Sequence, residues 1–160
     1  MLGGLLPGVQ HLQNVHPLVV HFPLAFLTAA VGLYILAWVM RRDWWAWLPF
    51  WLLLLGTLAT GLAVATGLRA EPGVMVARSV RVELLEPHEE LMLTTLALAV
   101  LLTVWAVVAR PLPQRGRMLF VLLLLALLAV MTRGADYGGR MVYDYNAGGS
   151  ACGQPIDFTR

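Results

Sequence analysis

Four long apolar segments, separated by short polar connections, dominate this sequence. They cover residues 17–40, 44–68, 88–109 and 118–133. A helix needs about 20 apolar residues to cross the hydrocarbon core of a bilayer, and only closed hydrogen-bonded structures are stable there. The composition agrees, because 59% of the residues are hydrophobic and 12% are charged. We therefore predict an all-α membrane protein whose 160 residues form one domain, a bundle of four transmembrane helices.

The connections add two smaller predictions. The polar stretch between the second and third segments carries Ala77, Val80 and Leu84 at helical spacing. This spacing predicts a short helix lying in the membrane interface. After the fourth helix, the Gly-rich residues 134–160 are predicted to form an outward tail, in which Gly138 and Gly139 make a turn.

The distribution of arginine predicts the orientation. The two short connections contain five arginines within a few residues: Arg41, Arg42, Arg110, Arg115 and Arg117. Tryptophans concentrate beside the same connections, as an interfacial aromatic belt would. Because basic residues of short loops stay in the cytoplasm, both termini are predicted to face outward. The first sixteen residues lack Lys and Arg, so we expect the first segment to remain in the membrane rather than be cleaved as a signal peptide.

Several functional classes are excluded by composition. Cys152 is the single cysteine, which leaves no disulfide framework, no CxxC site and no covalent haem attachment. The eleven basic residues are dispersed and the net charge is +2. Without a clustered basic stripe, nucleic acid is not an expected partner.

Histidines near the predicted outer face are the best candidates for a functional site. His21 lies in the first turns of the first segment, His88 opens the third, and His16 lies just above His21. Two imidazoles on different helices at one depth are the axial ligands that a b-type haem requires. Two other interpretations stay open: histidines that cap helices or bond to carboxylates, and a different metal site or a proton relay.

Two further features accompany these histidines. Pro17 and Pro23 bracket His21, which predicts either a kinked start of the helix or an imidazole turned inward. Arg140, in the tail, could bind a haem propionate or a quinone oxygen, or pair with Asp136 or Asp144.

The sequence resembles a family of bacterial membrane proteins known as domain of unknown function 2231 (DUF2231). The resemblance rests on residues 16–23 (HPLVVHFP), on His88, and on residues 137–143 (YGGRMVY). It implies a four-helix protein of the bacterial cytoplasmic membrane and supplies no settled activity.

These features support one leading hypothesis. We expect a membrane electron-transfer subunit that binds haem b through His21 and His88, supported by His16 or Arg140. Its partners would be the lipid bilayer, other subunits of a respiratory or photosynthetic complex, and a quinol or an external redox protein. The alternative is a cofactor-free structural subunit. A small transporter is disfavoured because no acidic residue lies deep in a predicted helix, and an accessory subunit is favoured over a stand-alone enzyme.

Overall fold

A computed structural model describes residues 14–147 and confirms the four-helix membrane architecture. Four helical spans are long and apolar enough to cross a bilayer: His16–Val39, Asp43–Gly73, Arg78–Ala109 and Arg117–Tyr145. Each covers the apolar segment predicted for it, apart from Met40, which follows the end of the first span. The spans follow one another through short connections, so neighbours run in opposite directions.

The first span is divided at Val20 into α1 (His16–Val19) and α2 (His21–Val39). Pro23 accounts for the division, because it has no N–H for the carbonyl of Val19 and its ring crowds that carbonyl. The backbone of Val20 stays in the right-handed helical region (φ −61°, ψ −23°), so the kinked start expected from the two prolines stays a prediction. The second span begins with a 3₁₀ turn (Asp43–Ala46), continues as α3 (Trp47–Ala70) and ends in another 3₁₀ turn, Glu71–Gly73.

The third span begins earlier than expected. The helix predicted in the connection exists, as α4 (Arg78–Val80), but it does not lie separately in the interface. A π-helical segment (Arg81–Leu85) joins it directly to α5 (Glu86–Ala109). Pro87 explains the π-helical segment, because it has no N–H to donate to the carbonyl four residues earlier. A wider turn is a common way to keep a helix continuous at such a position.

The fourth span, α6 (Arg117–Tyr145), extends well beyond the predicted end at residue 133. The expected turn at Gly138 and Gly139 is wrong, because both glycines are helical. Gly138 permits a close approach to α5 instead of a change of direction, as described below. The remaining tail, including Cys152, lies outside the described residues.

The bundle is a ring in which α2 packs on α3, α3 on α5, α5 on α6, and α6 on α2. Its core is apolar and includes the fully buried Leu27, Leu53 and Leu102. Gly56 allows α3 to approach α2, since a Cβ there would lie 3.2 Å from the backbone nitrogen of Leu27. A hydrogen bond between the hydroxyls of Thr57 and Thr103 (2.7 Å) joins α3 to α5.

The two short connections meet at one end of the bundle, as the sequence predicts. Arg117 Nη2 lies 2.9 Å from Asp43 Oδ2, and the amide of Gln114 donates to the same oxygen over 3.1 Å. The hydroxyl of Tyr34 donates to the carbonyl of Pro111 over 3.0 Å. We call this the arginine end. The opposite end, which holds His16 and His88, is the histidine end.

Candidate functional site

His16 and His88 lie next to each other at the histidine end. Their ring centroids are 6.5 Å apart and the ring planes are almost perpendicular, at 80°. Both residues are half-buried. They start the first span and α5 respectively, so the fold brings together two residues that are 72 positions apart in the sequence.

The backbone at His16 is held by a local cap. The side-chain oxygen of Asn14 accepts a hydrogen bond from the His16 backbone N–H over 3.0 Å, and Pro17 occupies the first turn of α1. Asn before a helix and Pro in its first turn are both favourable, because the N–H groups there lack helical partners. The local sequence thus defines where α1 starts, and the direction of the imidazole is set by the helix packed beside it.

The imidazole of His88 is oriented by the backbone of α6. Its Nδ1 lies 2.8 Å from the carbonyl oxygen of Gly134. A carbonyl can only accept, so Nδ1 must carry the hydrogen. In the neutral ring, Nε2 then carries the lone pair that could bind a metal ion.

His16 is oriented in the same way by α3. Its Nδ1 lies 3.2 Å from Thr66 Oγ1. The hydroxyl of Thr66 has one hydrogen, which is directed to the carbonyls of Leu62 (3.0 Å) and Ala63 (2.9 Å) of its own helix. With its hydrogen on one of these carbonyls, the hydroxyl oxygen is free to accept from Nδ1 of His16, and in that tautomer Nε2 of His16 again carries the lone pair. Such hydrogen bonds to the second ring nitrogen are typical of metal-ligating histidines.

A glycine lies against each imidazole. A Cβ on Gly67 would be 3.1 Å from Cε1 of His16, and a Cβ on Gly138 would be 3.0 Å from Cε1 of His88. Any larger residue would push the rings from these positions. One turn away, a Cβ on Gly134 would meet Cε of Met92, which identifies Met92 as packing in the α5–α6 contact. All four spans contribute to the site.

The structure brings some of the predicted site residues together and leaves others outside the site. It brings His16, rather than His21, next to His88. His21 is exposed on the outside of the bundle. Five residues along a helix turn a side chain by about 140°, so two histidines at this spacing cannot both face the bundle axis. Arg140 is also exposed, and its Nε lies 3.7 Å from Asp144 Oδ2, one of the two acidic partners proposed for it.

Thr66, Gly67, Gly134 and Gly138 are site residues that the sequence analysis did not identify. Gly67 ends a series of small residues in α3 (Gly56, Thr60, Ala63) that indicates helix packing. The same kind of series, Gly134 and Gly138 at a spacing of four, is present in α6. This spacing was the available signal for a helix in close contact with another, but the adjacent glycine pair favoured a turn.

Among the described residues, the site offers two imidazoles as donors. Among residues 14–147, no group of three or more His, Cys, Asp or Glu side chains is arranged to hold a metal ion. A zinc site closed by protein ligands needs four of them, or three in a catalytic centre. Haem iron is different, because the porphyrin supplies four nitrogens and the protein adds one or two axial ligands.

Comparison with known families agrees with the architecture. A family model described as a predicted membrane protein (DUF2231) matches residues 12–151. The chain belongs to the DUF2231 family. The match includes both histidines of the pair and the glycines of α6, and it confirms the resemblance carried by the HPLVVHFP motif. No curated protein and no solved structure matches this DUF2231 chain.

Proposed function

We propose that this DUF2231 protein is an electron-transfer subunit of the bacterial cytoplasmic membrane that holds a b-type haem through His16 and His88. The observation that carries the proposal is the common orientation of the two rings. Each has Nδ1 within hydrogen-bond distance of an oxygen on a neighbouring helix, which leaves Nε2 as the nitrogen able to bind a metal ion. His21, the residue first expected in this role, has no such partner among the described residues and is exposed.

The distance between the rings supports the same proposal. A bond between a metal ion and an imidazole nitrogen is about 2 Å long, so His16 and His88 could both reach one iron only if their rings lay close together without touching. The observed centroid distance is 6.5 Å. When bound, haem supplies a one-electron redox centre. The chain itself supplies the two nitrogens and, through Thr66 and the Gly134 carbonyl, fixes their tautomers.

A cofactor-free structural role is the second candidate, and one observation favours it. The hydrogen bonds of His16 and His88 each join two spans, α1 to α3 and α5 to α6. The close glycine contacts add to this connection. In this alternative the histidine pair is a polar cross-link between helices, which stabilises a bundle in a solvent that provides little hydrophobic driving force.

We also propose that the histidine end faces outward. This orientation is supported by the five arginines of the joined short connections, which follow the positive-inside rule. The haem would then be near the outer surface, within reach of a quinol, an external redox protein or another membrane subunit. In a Cys152→Ser background, which removes the native thiol of the predicted outward tail, a cysteine introduced at the exposed Arg115 should be labelled from the cytoplasmic side alone, and labelling from outside would reverse the orientation.

Optical spectroscopy tests the haem proposal. Reduced-minus-oxidised spectra and haem content would be recorded for the purified wild type, His16→Ala, His88→Ala and His21→Ala, all produced with ample haem. We expect b-type absorbance in the wild type and in His21→Ala, and its loss in the other two variants. His21→Ala is the matched control, because it removes an imidazole from the same span without touching the pair.

Each contrary result has a definite meaning. Wild-type protein without b-type absorbance would refute haem binding and leave the structural role, for which His16→Ala and His88→Ala should still lower the free energy of unfolding. Loss of haem in His21→Ala, with retention in His16→Ala, would keep the function but assign the ligand to His21.

A further inference from the structure

A groove between α3 and α5 opens on the surface of the bundle at the arginine end. Its volume is about 230 Å³. The groove is lined by three aromatic side chains, one aliphatic side chain and one cation: Trp47, Phe50, Trp51, Val107 and Arg110. Trp47 and Trp51 are about half exposed, at 46% and 55%. In a membrane-spanning bundle, such surface tryptophans lie at the level of the lipid head groups.

Arg110 provides the single charge of this groove. Its Nε donates to the carbonyl of Val107 over 3.2 Å, which holds the side chain beside α5. Its two terminal nitrogens have no hydrogen-bond or ion-pair partner among residues 14–147. The backbone of Arg110 has a φ of 34°, a conformation that glycine adopts at less cost. An arginine in this position therefore presents unused donors next to an apolar surface.

The surroundings of the groove are cationic. The connections at this end contain five arginines, at positions 41, 42, 110, 115 and 117, and one acidic residue, Asp43. Asp43 is already paired with Arg117. Positive charge at the end of a transmembrane bundle attracts anionic lipids, and a guanidinium matches a phosphate in geometry as well as charge.

We propose that this groove binds one anionic phospholipid, with its phosphodiester on Arg110 and the upper part of an acyl chain against Trp47 and Trp51. The proposal does not depend on haem binding at the other end. A second groove on the same bundle provides an internal contrast. It has a volume of about 470 Å³ and is lined by Leu33, Trp44, Trp45, Trp47 and Leu48, none of which is charged. We expect that groove to take acyl chains of any lipid, without preference for an anionic head group.

Quenching of tryptophan fluorescence by brominated lipids measures this preference directly. The full-length protein would be reconstituted in phosphatidylcholine vesicles that contain brominated phosphatidylglycerol or, at the same mole fraction, brominated phosphatidylcholine. We expect stronger quenching by the phosphatidylglycerol. Arg110→Gln should lower the relative affinity for it about fivefold, since one arginine near an anionic surface contributes about 1 kcal/mol.

Two matched controls separate a site from general surface charge. Arg115→Gln removes the same charge from an exposed position at the same end, and it should retain the preference. Val107→Phe should block the groove without changing any charge, whereas Val108→Phe, at a residue that is 79% exposed, should not. The pair at 107 and 108 keeps the test valid if Arg110→Gln fails to fold.

Three outcomes would overturn the proposal. Equal quenching of the wild type by both lipids would mean that the groove does not select the head group. An equal loss in Arg110→Gln and Arg115→Gln would assign the preference to diffuse charge. Full competition by millimolar inorganic phosphate would show an ion site in place of a lipid site, because free phosphate lacks the acyl chains that the tryptophans should contact.

Discussion

The two ends of the bundle are packed by different kinds of contact. At the histidine end, each imidazole lies against a glycine and bonds to an oxygen of a neighbouring helix. At the arginine end, aromatic rings pack against one another: the rings of Tyr34 and Phe120 are 5.3 Å apart, and those of Trp105 and Phe120 are 5.5 Å apart. Both aromatic pairs meet edge to face.

This difference indicates different tolerances. A methyl group added to Gly67 or Gly138 would meet an imidazole that is held by a hydrogen bond to a neighbouring helix, so the histidine end should be sensitive to a single added methyl group. Aromatic packing fills a large volume, so the arginine end should be sensitive to the loss of a ring and insensitive to changes at its surface. The two ends therefore differ in what holds them together: hydrogen-bonded imidazoles against glycines at one end, and packed aromatic rings at the other.

The largest effect is expected from removal of the ring that joins the two aromatic pairs. Phe120 is fully buried, and Phe120→Ala should lower the free energy of unfolding by about 3 kcal/mol. This value is at the low end of such substitutions, because in the unfolded state the ring contacts apolar lipid or detergent tails instead of water. Unfolding in mixed micelles with increasing sodium dodecyl sulfate would measure it. Leu119→Ala, at a residue that is 53% exposed, is the control, and an equal effect there would contradict the importance of this aromatic core.

An intermediate effect is expected from two adjacent glycines at the histidine end. Alanine is favoured over glycine in a helix by about 1 kcal/mol. Gly139→Ala should gain part of this amount, because its Cβ would meet only Tyr143, at 3.9 Å. Gly138→Ala should instead lose about 1 kcal/mol, because its Cβ would displace the His88 ring and strain its hydrogen bond to Gly134.

The same unfolding measurement on both variants checks this comparison. Equal changes in the free energy of unfolding for Gly138→Ala and Gly139→Ala would show that the His88 ring is free to move. The precision attributed to the histidine end would then be absent, and the proposed orientation of the imidazole by α6 would have to be abandoned.

The smallest effect is expected at the surface of the arginine end. Asp43→Asn removes the ion pair with Arg117, whose side chains are 46% and 20% exposed. Pairs of this kind contribute about 0.5 kcal/mol, because water and salt screen them. Asp136→Asn, which removes a still more exposed pair with Arg133, is the reference. If Asp43→Asn lowered the free energy of unfolding by more than 2 kcal/mol, this connection would be as sensitive to substitution as the histidine end.

The sequence by itself determined the class of the protein and its course through the membrane. Apolar segments of this length have few alternatives to a transmembrane helix, because backbone groups in lipid must bond within their own segment. Alternation of direction then placed the two short connections at one end and His16 and His88 at the other. The motif at residues 16–23 contains His16, which the structure places beside His88.

Only the tertiary structure decided which histidine faces His88 and how residues 134–145 fold. The face that His16 or His21 presents depends on the break at Val20 and on the helices packed around it, and hydropathy carries no information about either. Gly138 and Gly139 are compatible with a turn or with a close helix contact, because glycine is permissive in both. Here the contact is with the neighbouring α5. Its His88 ring occupies the space that a Cβ at Gly138 would need.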